Sequence, residues 1–123
     1  SGNNVLVPPQ PYVLCDPPQV NLTRDPQQRL AVRCHVDPSG MWTSKSDGYV
    51  TVAAQGDIWT IKGLNQSKFG EFEGLLTGKP PRLWVKMRTS IGSMASGTLI
   101  LDPRRLHGRL FVDGGNFDVD LER

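Results

Sequence analysis

Apolar side chains in this chain recur at every second position, in short runs broken by turn-forming clusters. RLWVKMR, Arg82 to Arg88, shows the pattern most plainly. Leu83, Val85 and Met87 fall on one side, and Arg82, Trp84, Lys86 and Arg88 on the other. Successive side chains of a strand point to opposite faces of a sheet, so this alternation marks a half-buried strand. RLAVRCHV does the same with Leu30, Val32, Cys34 and Val36 on its apolar face, and NFDVDLER with Phe117, Val119 and Leu121. The segments GTLILD and GRLFVD share a Gly-x-Leu-apolar-apolar-Asp pattern and read as two successive strands of one sheet. Turn signals separate the runs: DPSG from Asp37, Ser46-Asp47-Gly48, Gln55-Gly56-Asp57 and DGGN from Asp113. The last is the strongest hairpin signal in the chain.

One stretch departs from the rhythm. In SKFGEFEGLLTGKPP, Phe69, Phe72, Leu75 and Leu76 stand at helical spacing. Ser67 suits an N-cap, Gly78 the residue past the C-terminus, and Pro80 a stop. The expectation is one short helix near residues 67–77. About eight strands and at most one helix imply an all-β fold: a small antiparallel β-sandwich or a closed barrel. A helix between the third and fourth clear strands also fits an OB-like barrel.

Residues 1–26 carry six of the 10 prolines. Proline fixes φ and removes a ladder donor, so this segment reads as an extended N-terminal arm. Residues 27–123 then form a single β domain, a division the chain length allows. No apolar run is long enough for a transmembrane helix. The chain opens on Ser1-Gly2, which fits an export signal removed beforehand.

Cys15 and Cys34 are the only cysteines. A disulfide between them would staple the arm to the first strand of the domain and stabilise it by roughly 3 kcal/mol. The competing reading is two reduced, buried thiols. A metal site needs Cys15, Cys34, His35 and His107 together, and the spacing matches no zinc pattern, so no metal and no cofactor is expected. A disulfide implies a periplasmic, secreted or surface location. The sequons Asn21-Leu22-Thr23 and Asn65-Gln66-Ser67 agree with surface exposure.

The formal net charge is +2, yet between Lys79 and Arg109 there are seven Lys/Arg and one Asp. Arg82, Trp84, Lys86 and Arg88 share one strand face, and Arg104, Arg105 and His107 follow. A tryptophan flanked by cations stacks a base or a sugar while the cations hold its anionic groups. The opposing reading sets Asp118, Asp120 and Glu122 beside 82–88 and neutralises the face through cross-strand pairs. Trp42 and Trp59 read as core or rim aromatics. No catalytic signature appears. The one candidate base is His107 in the loop DPRRLHG, with Asp102 as orienter and Ser90 or Ser93 as nucleophile.

The sequence therefore points to a non-catalytic extracytoplasmic β domain that mediates protein–protein interaction or assembly. Its contacts would be the 1–26 arm and loops 90–97 and 102–108. The alternative is an OB-like module that binds single-stranded nucleic acid or an anionic glycan through the basic, Trp-bearing face.

Overall fold

Twelve strands and no helix make up the described residues of the computed structural model, which are 5–6, 11–16, 21–22, 33–45, 48–66 and 70–123. Two short pairs precede the main body. Strand β1 (Val5–Leu6) pairs with β3 (Asn21–Leu22), and β2 (Val13–Asp16) with β4 (Arg33–Val36). The other eight are β5 (Gly40–Ser44), β6 (Gly48–Gln55), β7 (Ile58–Asn65), β8 (Gly70–Lys79), β9 (Arg82–Thr89), β10 (Met94–Leu101), β11 (Arg105–Val112) and β12 (Gly115–Glu122). Each pairs antiparallel with its sequence neighbours, and β12 returns to β5 to close the barrel. All-β is therefore right, and of the two forms expected the fold is the closed barrel. Its up-and-down order of eight strands is not the five-stranded Greek key of an OB-fold.

The alternation builds the interior. On β9 the side chains of Leu83, Val85, Met87 and Thr89 are buried, and those between them are exposed. Trp42, Val52, Ile61, Leu76, Leu99, Leu106, Leu110 and Leu121 come inward from the remaining strands. An eight-stranded barrel is just wide enough for its side chains to fill it. The interior here keeps a cavity of only about 80 Å³, bordered by Val50, Ile61, Phe72, Met87 and Leu110. Truncating one of the fully buried leucines to alanine costs about 2–5 kcal/mol.

The expected helix is strand β8. Phe72 and Leu76 point inward with Gly74 between them, so the true alternation is Phe72, Gly74, Leu76. The glycine hid it, because an inward position without a side chain reads as polar spacing. Gly74 is required there: a Cβ would stand 2.1 Å from the Lys86 carbonyl oxygen and 2.6 Å from Met87 Cα. Ser67 and Phe69 lie outside the described residues. Pro80, expected as a helix stop, sits in the β8–β9 turn.

Glycine also explains the paired GTLILD and GRLFVD segments, which are β10 and β11. A Cβ on Gly97 would meet the Arg109 oxygen at 2.0 Å, and one on Gly108 the Thr98 oxygen at 2.1 Å. The two strands approach closely only because both positions lack a side chain. The DGGN hairpin forms as expected. Asp113 (φ 47°) and Gly114 (φ 81°) both take the positive φ that a type I′ turn requires.

Three local expectations need correction. Cys34 is exposed on β4, a strand that pairs with β2 and not with the barrel, so it is no core residue. Leu30 and Val32 lie outside the described residues, as does most of the 1–26 arm. The loop expected at 90–97 is a tight turn that ends where β10 begins at Met94. Its Thr89 N–H donates to Ser93 O at 2.9 Å, and Ser93 N–H to Thr89 Oγ1 at 3.0 Å. The loop expected at 102–108 ends at Arg104, which puts Arg105 and His107 on strand β11.

One end of the barrel is sealed by the chain's last residue. The Arg123 guanidinium lies 4.1 Å from the Trp42 ring centroid and 3.9 Å from that of Tyr12. It donates to the carbonyls of Asp37 at 2.6 Å, Ser39 at 2.9 Å and Pro103 at 2.7 Å. Burial pulls the pKa of this group down from its ordinary value, and Tyr12 and Asp37 oppose that shift. Beneath it the buried Trp42 indole N–H donates to Pro38 O at 2.8 Å. These contacts fix the start of β5, the end of β12 and the Tyr12 segment to one another.

Candidate functional site

Strand β9 turns Arg82, Trp84, Lys86 and Arg88 outward in one line, as the alternation implied. Its neighbours decide what that line can do. On one side the register sets Lys79 opposite Arg82, Thr77 opposite Trp84, Leu75 opposite Lys86 and Glu73 opposite Arg88. On the other side β10 offers only Ile100, Thr98, Ser96 and Met94, none of them charged. Lys79 beside Arg82 adds to the positive field, and Glu73 also faces Lys62 across the β7–β8 pair.

The acidic tail does not reach this line. Strand β12 pairs with β11, so Asp118, Asp120 and Glu122 stand opposite Arg109, His107 and Arg105. Arg105 Nε donates to Asp120 Oδ1 at 2.9 Å and its Nη2 to Oδ2 at 3.1 Å, a two-point contact. Arg109 Nε donates to Asp118 Oδ1 at 3.1 Å. The hydrogen bond from Arg105 holds the Asp120 carboxyl below its ordinary pKa and raises that of Arg105 in turn. Glu122 meets Lys45 at 3.8 Å. The neutralisation expected on β9 is thus found on β11. Among the described residues, no ion pair or side-chain hydrogen bond engages Arg82, Lys86 or Arg88.

The seven candidate ligand residues divide accordingly. Arg82, Trp84, Lys86 and Arg88 form an open row. Arg105 is held by Asp120, and His107 Nε2 lies 3.5 Å from Asp102 Oδ2. Arg104 stands 5.7 Å from the Tyr12 ring, at the sealed end of the barrel.

Trp84 is 58% exposed, the most exposed tryptophan of the three: Trp42 is in the core and Trp59 packs partly against it. Its indole leans towards β8, where a Cβ on Gly78 would be 3.2 Å from Trp84 Cδ1. The missing side chain at Gly78 makes room for the ring. Beyond β10, Phe111 is also exposed, opposite Ser96. Sequence reasoning missed Phe111 as part of this surface, because only the strand order brings it across β10 from the Trp84 row.

The catalytic alternative does not assemble. His107 pairs with Ile100 near the end of β10, whereas Ser90 and Ser93 precede its start. At about 3.4 Å per residue the two sites are about 20 Å apart along the strand. Ser93 Oγ instead donates to Asp113 Oδ2 at 2.8 Å. Among the described residues no group of three or more His, Cys, Asp or Glu gathers as a metal site requires, and no helix is long and apolar enough to cross a membrane. Cys15 and Cys34 are direct register partners on β2 and β4.

Comparison with known proteins found no matching family model and no matching curated protein.

Proposed function

We propose that this chain is a non-catalytic binding module that recognises an anionic partner with the outer wall of its barrel, along β9. One observation carries the reading: Arg82, Lys86 and Arg88 flank an exposed tryptophan, and among the described residues no acid forms an ion pair with any of them, although Glu73 stands opposite Arg88. Surface cations normally find carboxylates nearby, as Arg105 and Arg109 do here. A row left open beside uncharged β10 keeps its field for a ligand. The interior supports the same view, since a cavity of about 80 Å³ is far below the ~300 Å³ and more of ordinary small-molecule sites.

The test is binding to polyphosphate, a polyanion without rings, at several salt concentrations. Replacing Arg82, Lys86 and Arg88 together by alanine should weaken binding at least tenfold and flatten its salt dependence. Replacing Arg105 and Arg109 should change it by less than threefold. Equal losses from the two sets, or no binding by the native chain, would remove the proposal.

A protein partner at the arm is the second reading, favoured by the β2–β4 pair outside the barrel, where Leu14 is exposed. It goes with an oxidised Cys15–Cys34 pair and an extracytoplasmic location, which the direct register of the two cysteines supports. Capture of one dominant protein from an envelope fraction, lost when residues 1–11 are deleted, would put this reading first.

A further inference from the structure

We infer that the ligand of the β9 face is an acidic polysaccharide whose charges sit on its sugar rings, as uronate or sulfate groups. This deepens the anionic-partner reading and rests on it. The argument is the order of side chains along β9. Outward positions on a strand repeat every ~6.8 Å, twice the rise per residue. Arg82 and Lys86 therefore stand one repeat to either side of Trp84, with Arg88 one repeat further on. Cations and stacking ring share a single line.

Single-stranded nucleic acid asks for something else. Its phosphates run along the backbone and its bases project to one side. A protein that holds it pairs a basic groove tracking the backbone with aromatic platforms set beside that groove. Here the ring is inside the cation row, and the adjacent strand offers no second row of charge. A uronate or sulfated sugar carries its anion on the ring that stacks. A ring seated on Trp84 thus brings its own charge within reach of Arg82 or Lys86 without a second track. The apolar face of a sugar suits the indole.

The floor and far wall fit the same ligand. In the register Trp84 stands opposite Thr98 across β9–β10, and Phe111 opposite Ser96 across β10–β11. Because the indole leans towards Gly78, it tilts away from β10, where Ser96 is exposed and Thr98 half-buried. Two strand spacings of ~4.8 Å and one outward repeat separate Trp84 from Phe111, about 12 Å in all. Hydroxyls between two such rings hydrogen-bond to sugar hydroxyls as donors and acceptors.

Binding of polygalacturonate and dextran sulfate oligomers would be measured beside neutral dextran and oligo-deoxythymidylate, all at 150 mM salt, by titration calorimetry. At least one acidic sugar should bind tenfold or more tightly than oligo-deoxythymidylate, and neutral dextran should not bind. Trp84→Ala should weaken acidic-sugar binding at least tenfold and leave polyphosphate binding within threefold. Trp84→Phe should restore most of the loss, and an unchanged thermal midpoint in both variants shows that the exposed site tolerates them. Oligo-deoxythymidylate binding as tightly as the sugars, or insensitivity to Trp84→Ala, would overturn the inference while polyphosphate binding kept the broader reading. Loss of polyphosphate binding as well would remove both.

Discussion

Arg123 lies against Trp42, its guanidinium carbon 4.1 Å from the ring centroid, and so joins the last residue of the chain to the first barrel strand. The same group donates to three carbonyls, those of Asp37, Ser39 and Pro103. Arg123→Ala should therefore destabilise the fold by about 2–4 kcal/mol, since charged hydrogen bonds and ring stacking are lost together. Arg123→Lys should recover less than half of this, because an ammonium cannot present a planar fork to carbonyls set apart. Denaturant midpoints of the three proteins measure the difference.

Gly74 and Gly115 make a paired test of close packing. At Gly74 a Cβ meets backbone atoms of β9 at 2.1 and 2.6 Å, and backbone cannot swing aside. At Gly115 the nearest atom is Val112 O at 3.5 Å, an ordinary contact. Gly74→Ala should cost about 2–3 kcal/mol or prevent folding, whereas Gly115→Ala should shift stability by less than 1 kcal/mol. Thermal melts of the two variants separate these outcomes.

The ion pair between Arg105 and Asp120 has a pH signature of defined sign. The Asp120 carboxyl is held below its ordinary pKa in the folded state, chiefly by the hydrogen bond from Arg105. A lowered folded pKa gives a stabilising contribution that is fully present above the unfolded value. It is lost as pH falls through the folded value. Carboxyl-carbon NMR should show Asp120 titrating below the ordinary carboxylate range, and Arg105→Ala should return it there. Titration of Asp120 at an ordinary value in the native chain would contradict the contact.

Cys15 and Cys34 should be found oxidised when the protein is prepared without reductant. Thiol labelling should detect no free sulfur until a reductant is added. Reduction should then lower stability by about 3 kcal/mol. Because β2 and β4 stand outside the barrel, the loss should appear as earlier exposure of the Tyr12 segment, read by proteolysis, with the barrel melting later.

Much of the barrel can be read from alternation alone. The run from Arg82 to Arg88 falls within β9 with its inward and outward sides as expected, and DGGN forms the β11–β12 hairpin. The departures have two distinct physical origins. Glycine at an inward position leaves no apolar mark, so Phe69, Phe72, Leu75 and Leu76 read as helical spacing where the inward alternation is Phe72, Gly74, Leu76. Periodicity also carries no information about neighbours. The DGGN hairpin already sets β12 against β11, and what periodicity alone leaves out is that this pairing spends the acids of β12 on Arg105 and Arg109. Nor could periodicity reveal that Cys34 would pair with β2 away from the core. The value of the β9 row depended on where those acids went.

The order of the barrel strands has one more consequence. Each strand bonds to the one before and after it, and β12 meets β5 through Leu121 opposite Ser44 and Glu122 opposite Thr43. The start and finish of the barrel are therefore side by side, and the ring has no privileged first strand. A permuted barrel, with Arg123 joined by a short linker to Asp37 and new termini cut at Gly92 or Gly114, keeps every barrel ladder and the Asp37, Pro38 and Ser39 contacts, and gives up residues 1–36 with the Tyr12 contact. Both cut points sit in turns where an added Cβ would touch nothing within 4 Å. A cut at Gly92 makes β9 the last strand and carries the basic row to the C-terminal end, whereas a cut at Gly114 leaves that row two strands from it, so the binding wall and the chain ends can be re-arranged independently of each other.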